Sequence, residues 1–239
     1  EILFRNDAPG RKYEGLENVV ETWSGKPLEA HWVTIDGIAY FLDLAGGQKT
    51  GFYLDQRAQH RRVAEFAKGR RVLDGFCNQG AFGLQCAKSG AASVLGIDSS
   101  ELAVTQARAN AEKNALPAEF LAENLFDYFT TARKDSYDLI VLDPPSFARN
   151  KASVPGALRG YKELNLRAMR MLTKGGILAT YSCSKSVSRE VYMEVLTSAA
   201  IDAGRRVRII EQTGQPKDHP ALLGIPETEY LKGAILEVE

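Results

Sequence analysis

Three aspartates close three apolar runs in the same way: Val72-Leu73-Asp74, Gly96-Ile97-Asp98 and Val141-Leu142-Asp143. A carboxylate at the end of a strand either caps the next turn or faces a ligand gathered at a sheet edge, and three together favour the edge. The third aspartate runs into Pro144, Pro145, Ser146 and Phe147. Two prolines fix the backbone and remove two amide donors, which makes a rigid corner. Pro144 and Pro145 would shape a slot in which Phe147 stacks on a flat heterocycle and Asp143 hydrogen-bonds its edge. A further apolar run ends in Ser182-Cys183-Ser184. A thiolate there is a nucleophile, and Lys185 with the first amides of the next helix could lower the thiol pKa. Cys77 and Cys86 read instead as small buried hydrophobes.

The loop after the first of these runs is Asp74-Gly75-Phe76-Cys77-Asn78-Gln79-Gly80. Its small residues let backbone approach a ligand, and the following helix offers its positive end. Asp74, Phe76, Asn78 and Gly80 are the candidate cofactor contacts in it. Asp98, with Ser99 beside it, is placed to accept from two ribose hydroxyls. A dinucleotide or S-adenosylmethionine would satisfy that pair. A pyrophosphate needs two close backbone approaches, however, and this loop lacks the full G-x-G-x-x-G pattern. A sulfonium nucleoside, which carries no phosphate, fits the looser loop better. Asn124 could accept from an adenine amino group or cap the helix that begins near Leu125.

A cysteine and an acid at one edge suit a definite chemistry. Carbon 5 of cytosine is a poor nucleophile. Addition of a Cys183 thiolate to carbon 6 would turn the ring into an enamine able to take a methyl group, with Asp143 near the ring nitrogen neutralising developing charge.

These residues need a scaffold that aligns strand ends. From residue 70 the sequence alternates: strands at 71–74, 93–98, 118–122, 137–143, 176–181 and 206–210, and helices at 81–88, 101–114, 158–172 and 187–203. That rhythm predicts an α/β fold with a parallel, Rossmann-like sheet and helices on both faces. The last strand, 231–238, follows its predecessor with no helix between and is free to pair antiparallel. Residues 1–50 read as a separate β-rich segment, with a hairpin of 32–35 and 38–44 around Asp36-Gly37, and residues 51–239 as the main domain. Residues 53–68 look helical. Thirty basic and thirty acidic residues cancel, so any nucleic-acid contact must use a local basic face. Three cysteines at no metal-like spacing argue against a disulfide framework or a metal site, and favour a reducing compartment. No run of about 18 apolar residues is present, so no membrane partner is expected.

The chain resembles the RlmI-type family of bacterial large-subunit rRNA cytosine carbon-5 methyltransferases. The segments that carry the resemblance are RKYEGL (11–16), GQKTGFYLDQR (47–57), DPPSF (143–147), GYKELNLRAMR (160–170), SCS (182–184), DHP (218–220) and PETEYLK (226–232). The resemblance implies a class I methyltransferase fold, S-adenosylmethionine as cofactor, ribosomal RNA as partner and a cytoplasmic location. A homodimer is compatible with it. It also implies an N-terminal RNA-binding PUA domain that this sequence lacks. By position it assigns Cys183 as the catalytic cysteine, Asp143 as the acid beside it and Asp98 as the ribose acid. Gln56 and Arg57 fall in a segment that helps hold the cofactor, and Arg57 would pair with its carboxylate. The chain departs from the family in three places: Asn78-Gln79-Gly80-Ala81-Phe82 replaces aromatic-Thr-Gly-Gly-Phe, Asn124 replaces a common Asp, and Lys185 replaces a frequent His. Rival readings are an amino-methyltransferase that uses the Asp-Pro-Pro corner without a covalent step, a nicotinamide oxidoreductase, and a non-catalytic RNA-binding factor.

Overall fold

The computed structural model describes residues 1–46, 51–148, 150–225 and 228–239. Residues 47–50 of the GQKTGFYLDQR segment and 226–227 of PETEYLK lie outside the described residues. Two compact units are present, Glu1–Leu54 and Asp55–Glu239.

In the first unit, β1 (Leu3–Asn6) pairs antiparallel with β2 (Val19–Thr22), and β3 (His31–Ile35) with β4 (Ile38–Leu42). The second pair is the expected hairpin. Asp36 (φ 49°) and Gly37 (φ 75°) both take left-handed backbone, as a two-residue turn between twisted strands demands.

The second unit opens with α1 (Arg57–Ala64), shorter than the helix expected over 53–68. The alternating rhythm follows: β5 (Arg71–Gly75), α2 (Ala81–Lys88), β6 (Ser93–Asp98), α3 (Glu101–Lys113), β7 (Glu119–Ala122), α4 (Leu125–Thr131), β8 (Tyr137–Leu142), α5 (Val154–Met171), β9 (Leu172–Ser182) and α6 (Arg189–Ala203). The strands β10 (Val207–Gly214) and β11 (Lys232–Val238) complete it. Sheet order is β10-β11-β9-β8-β5-β6-β7. Strands β5 to β9 run parallel, while β11 inserts antiparallel between β9 and β10. Strand order therefore reverses between β5 and β8, the place where an open α/β sheet leaves a crevice at its carboxyl edge.

The pleat explains why helices cover both faces. Val72, Leu139, Val141, Ile177, Ala179 and Ile235 point to one layer, where Val63, Phe82 and Cys86 of α1 and α2 meet them. Their neighbours Leu73, Ile140, Leu142, Leu178 and Leu236 point to the other, against Leu125, Tyr161, Met169, Tyr192 and Leu196 of α4, α5 and α6. Strands buried on both faces read as continuous apolar runs, which is how β8 appears in the sequence. No helix among the described residues is long and apolar enough to cross a membrane.

Candidate active site

The loop leaving β5 is held in an expensive conformation. Phe76 (φ 63°), Asn78 (φ 47°) and Gly80 (φ 82°) all adopt left-handed backbone. For residues with a Cβ that costs of order 1–3 kcal/mol each, and such strain concentrates where a ligand is bound. Hydrogen bonds impose it. The Asp98 carboxylate accepts from the Asn78 amide through Oδ2 (2.9 Å) and from the Ser100 amide through Oδ1 (2.9 Å), tying the ends of β5 and β6 together. The Cys77 amide donates to the Ile97 carbonyl (3.0 Å), and Gly80 donates back to Cys77 (2.7 Å). Gly80 is required twice over, since a Cβ there would lie 2.8 Å from the Phe120 ring and would have to tolerate φ +82°.

Asp74 ends inside the protein, 1% exposed. Its Oδ2 accepts from the Gly83 amide (2.8 Å) in the first turn of α2, and its Oδ1 is buried without a partner. Burial pushes its pKa up to about 7, and the acids Asp143 and Asp98 push the same way against the Gly83 bond.

At the switch point Asp143 follows β8, and the Gln56 amide donates to its Oδ1 (3.0 Å). Gln56 itself is 3% exposed, and its Oε1 is buried without a partner. Cys183 follows β9, the neighbouring parallel strand, and its sulfur lies 3.9 Å from the Pro144 carbonyl. The acid corner and the cysteine tip thus sit side by side. Cys77 and Cys86 are buried, and burial pushes both thiols far above the ordinary range.

A hydroxyl network clamps the tip to the corner. Ser184 Oγ lies 3.0 Å from Ser146 Oγ, accepts from the Ala148 amide (3.2 Å), and meets the Tyr161 hydroxyl at 2.9 Å. Ser182 Oγ donates to the same Tyr161 hydroxyl (3.0 Å). Tyr161 is wholly buried and joins the two serines that flank Cys183. Phe147 packs 4.7 Å from the Tyr161 ring and 6.4 Å from Phe76, so one side of the expected stacking platform supports the corner. Pro144 is buried and Pro145 exposed, and Lys185 and Ser99 lie exposed at the same edge. Arg57 is exposed in the first turn of α1. Asn124 caps α4, its side chain accepting from the Phe126 amide (2.9 Å), which leaves a second lone pair on that oxygen.

Ser182, Ser184, Tyr161, Gln56's bond to Asp143 and a buried Lys232 were not read as a network from the sequence. The only available signal was the serine on each side of Cys183. His219 is half-buried beside Asp218 (3.3 Å) in the β10–β11 connection.

Many basic side chains are interleaved with acids in space. Arg62 meets Glu65 and Glu211, Arg71 meets Asp138 (2.9 Å), Arg208 meets Glu239, Lys162 meets Asp202 (2.7 Å) and Arg167 meets Glu163 (2.5 Å). Those groups present mixed charge, in keeping with thirty bases against thirty acids.

The family model described as S-adenosylmethionine-dependent methyltransferase matches residues 11–225. The chain belongs to this family. Its relatives include proteins named ribosomal RNA large subunit methyltransferase I: from Shewanella frigidimarina, 44% identical, covering 99% of this chain and 61% of that protein, and from Photobacterium profundum, 42% identical, covering 97% and 60%. The chain thus spans about three-fifths of the length of these curated relatives. Among solved structures, SMU.776 with SAH bound superposes with a TM-score of 0.79 at 25% identity, over 89% of this chain and 57% of that one.

The family's cofactor is S-adenosylmethionine, and the residues present fit it. Asp98 accepts only one amide on each oxygen and retains lone pairs for two hydroxyls. The unpartnered oxygens of Asp74 and Gln56 are acceptors that the cationic methionine end of the cofactor would satisfy.

Proposed function

We propose that this methyltransferase domain modifies large-subunit ribosomal RNA at carbon 5 of a cytosine, through a covalent adduct on Cys183. The observation that carries the proposal is the approach of the Cys183 sulfur to within 3.9 Å of the Pro144 carbonyl, which puts nucleophile and acid corner at one crevice. The names of the relatives support the RNA class, and the thiol supports the position on the ring.

When bound, S-adenosylmethionine supplies an electrophilic methyl group on a positively charged sulfur. The chain supplies the rest. The Cys183 thiolate forms a bond to carbon 6, and the electron pair of the carbon 5–carbon 6 double bond moves to carbon 5, which becomes nucleophilic. Asp143, oriented by Gln56, sits at the ring edge and hands a proton to the ring nitrogen as negative charge gathers there, the nitrogen giving it back when the thiolate leaves. Once carbon 5 carries its methyl, a base takes the carbon-5 proton. The double bond re-forms, and the bond from carbon 6 to sulfur breaks to return the thiolate. The Ser182–Tyr161–Ser184 clamp holds the sulfur in line through both halves of the cycle.

The test is transfer of labelled methyl to unmodified ribosomal RNA by wild type and Cys183→Ala, with nucleoside analysis of the product. The expected result is 5-methylcytosine with wild type and none with the variant. Full activity of Cys183→Ala, or a label on an exocyclic amine, would replace this reading with direct amino-methylation.

A further inference from the structure

Lys232 is an unexpected charge in this part of the molecule. It opens β11 opposite Ser182 of β9 and is only 4% exposed. Its Nζ donates to the Ser184 carbonyl (2.7 Å) and to the Val187 carbonyl (2.5 Å). Both carbonyls belong to the turn that leads from β9 into α6, so one ammonium grips that turn just past Cys183 and again near its end. No carboxylate among the described residues forms an ion pair with it. A buried ammonium held only by carbonyls is costly unless a compensating charge lies near.

A negative charge on Cys183, at the start of the turn that the ammonium grips, would supply it. Burial lowers the Lys232 pKa, and the strongest influence in the opposite direction is a negative charge on Cys183. Arg189 of α6 adds to the lowering, and Glu229 opposes it more weakly than Cys183 does. Other groups near the sulfur include Tyr161 from α5, Tyr230 from the β10–β11 connection, the corner after β8 that carries Asp143 and Pro144, and exposed Lys185 on the turn itself. Burial pushes both phenols upward, so they remain neutral near pH 7. A charged Asp143 works against a thiolate, and Lys232 is a buried cation able to favour one.

We propose that Lys232 is a positioning residue for Cys183: its ammonium clips the turn that presents the sulfur and offers a positive charge to the thiolate. The proposal deepens the reading of Cys183 as the attacking group and rests on it. Its test reads the thiol directly. Alkylation of the protein by iodoacetamide is followed from pH 5 to 10 for wild type, Lys232→Met and Lys232→Arg, with Cys183→Ala as the blank. Cys77 and Cys86 are buried with raised thiol pKa values and stay silent.

The wild-type midpoint is expected below the ordinary thiol value of about 8.5. Lys232→Met raises it by about one unit, a roughly tenfold slower reaction at pH 7, and Lys232→Arg restores part of the difference. A folded Lys232→Met with an unchanged midpoint overturns the proposal. So does a wild-type midpoint at or above that of a free cysteine, which decides the matter even if the variant fails to fold. Because alkylation does not report methyl transfer, methylation that survives Cys183→Ala would sink the covalent reading while leaving the thiol measurement intact.

Discussion

Replacing Asp74 by Asn removes a charge that the fold has paid to bury. In the native state burial pushes the Asp74 carboxyl up to about 7, against an ordinary value of 3.8, because it is shut away from water with one oxygen unpartnered. A carboxyl whose pKa is raised by folding binds its proton more tightly in the native state. Its contribution to stability is therefore complete below pH 3.8 and is lost as pH rises through about 7. Integrating the two titrations gives a loss of about 2 kcal/mol by pH 5 and about 4 kcal/mol by pH 8. An amide of the same shape has no such dependence. Asp74→Asn is thus expected to gain about 2–3 kcal/mol relative to wild type between pH 5 and pH 8, whatever its stability at the lower pH. Urea unfolding of both proteins at several pH values measures this as a difference in midpoint at unchanged slope. A stability difference that stays flat from pH 5 to pH 8, or falls, would refute the assignment of Asp74 as a proton-holding acid.

Other consequences follow from the same geometry. Gly80→Ala forces a Cβ to 2.8 Å from Phe120 at φ +82°, so calorimetry with S-adenosylhomocysteine should show binding weakened at least tenfold alongside a lower melting temperature. Tyr161→Phe leaves the Ser182 and Ser184 hydroxyls without their shared partner, at a cost of about 1–3 kcal/mol seen in thermal melts, and slows methyl transfer more than it weakens cofactor binding. Gln56→Glu sets a second carboxylate where an amide now donates to Asp143 at 3.0 Å. Like charges so close keep one acid protonated near neutrality, and the pH–rate profile for methyl transfer should move to higher pH. An unshifted profile would mean that Gln56 does not orient Asp143.

Much of this was legible from one dimension. Apolar runs of strand length, turn residues between them and helical periodicity marked β5, β6, β8 and their helices, because burial on two faces leaves a run no polar escape. The Asp36-Gly37 turn was readable because only a few residue types tolerate left-handed backbone. The left-handed Phe76 was not, since nothing in its side chain asks for it, and Asn78 is only of a type that tolerates it. The loop's conformation is tied to hydrogen bonds that the Asn78 and Cys77 amides donate to Asp98 and Ile97 of a neighbouring strand. The antiparallel closing strand was left open for a related reason. A missing crossover helix permits β11 to run antiparallel, but it does not say which strand it will join.

The sequence by itself determined the chemical inventory: a cysteine, an acid corner and a small-residue loop, each at the end of a strand, where side-chain type and strand periodicity suffice to place them. Only the tertiary structure decided how they are held. Gln56 against Asp143, Tyr161 between two serines, and Lys232 under the cysteine turn come from elements far apart in the chain. Local propensity carries no record of such partners, since a hydrogen bond or a buried charge is specified by proximity that exists only once the sheet has closed.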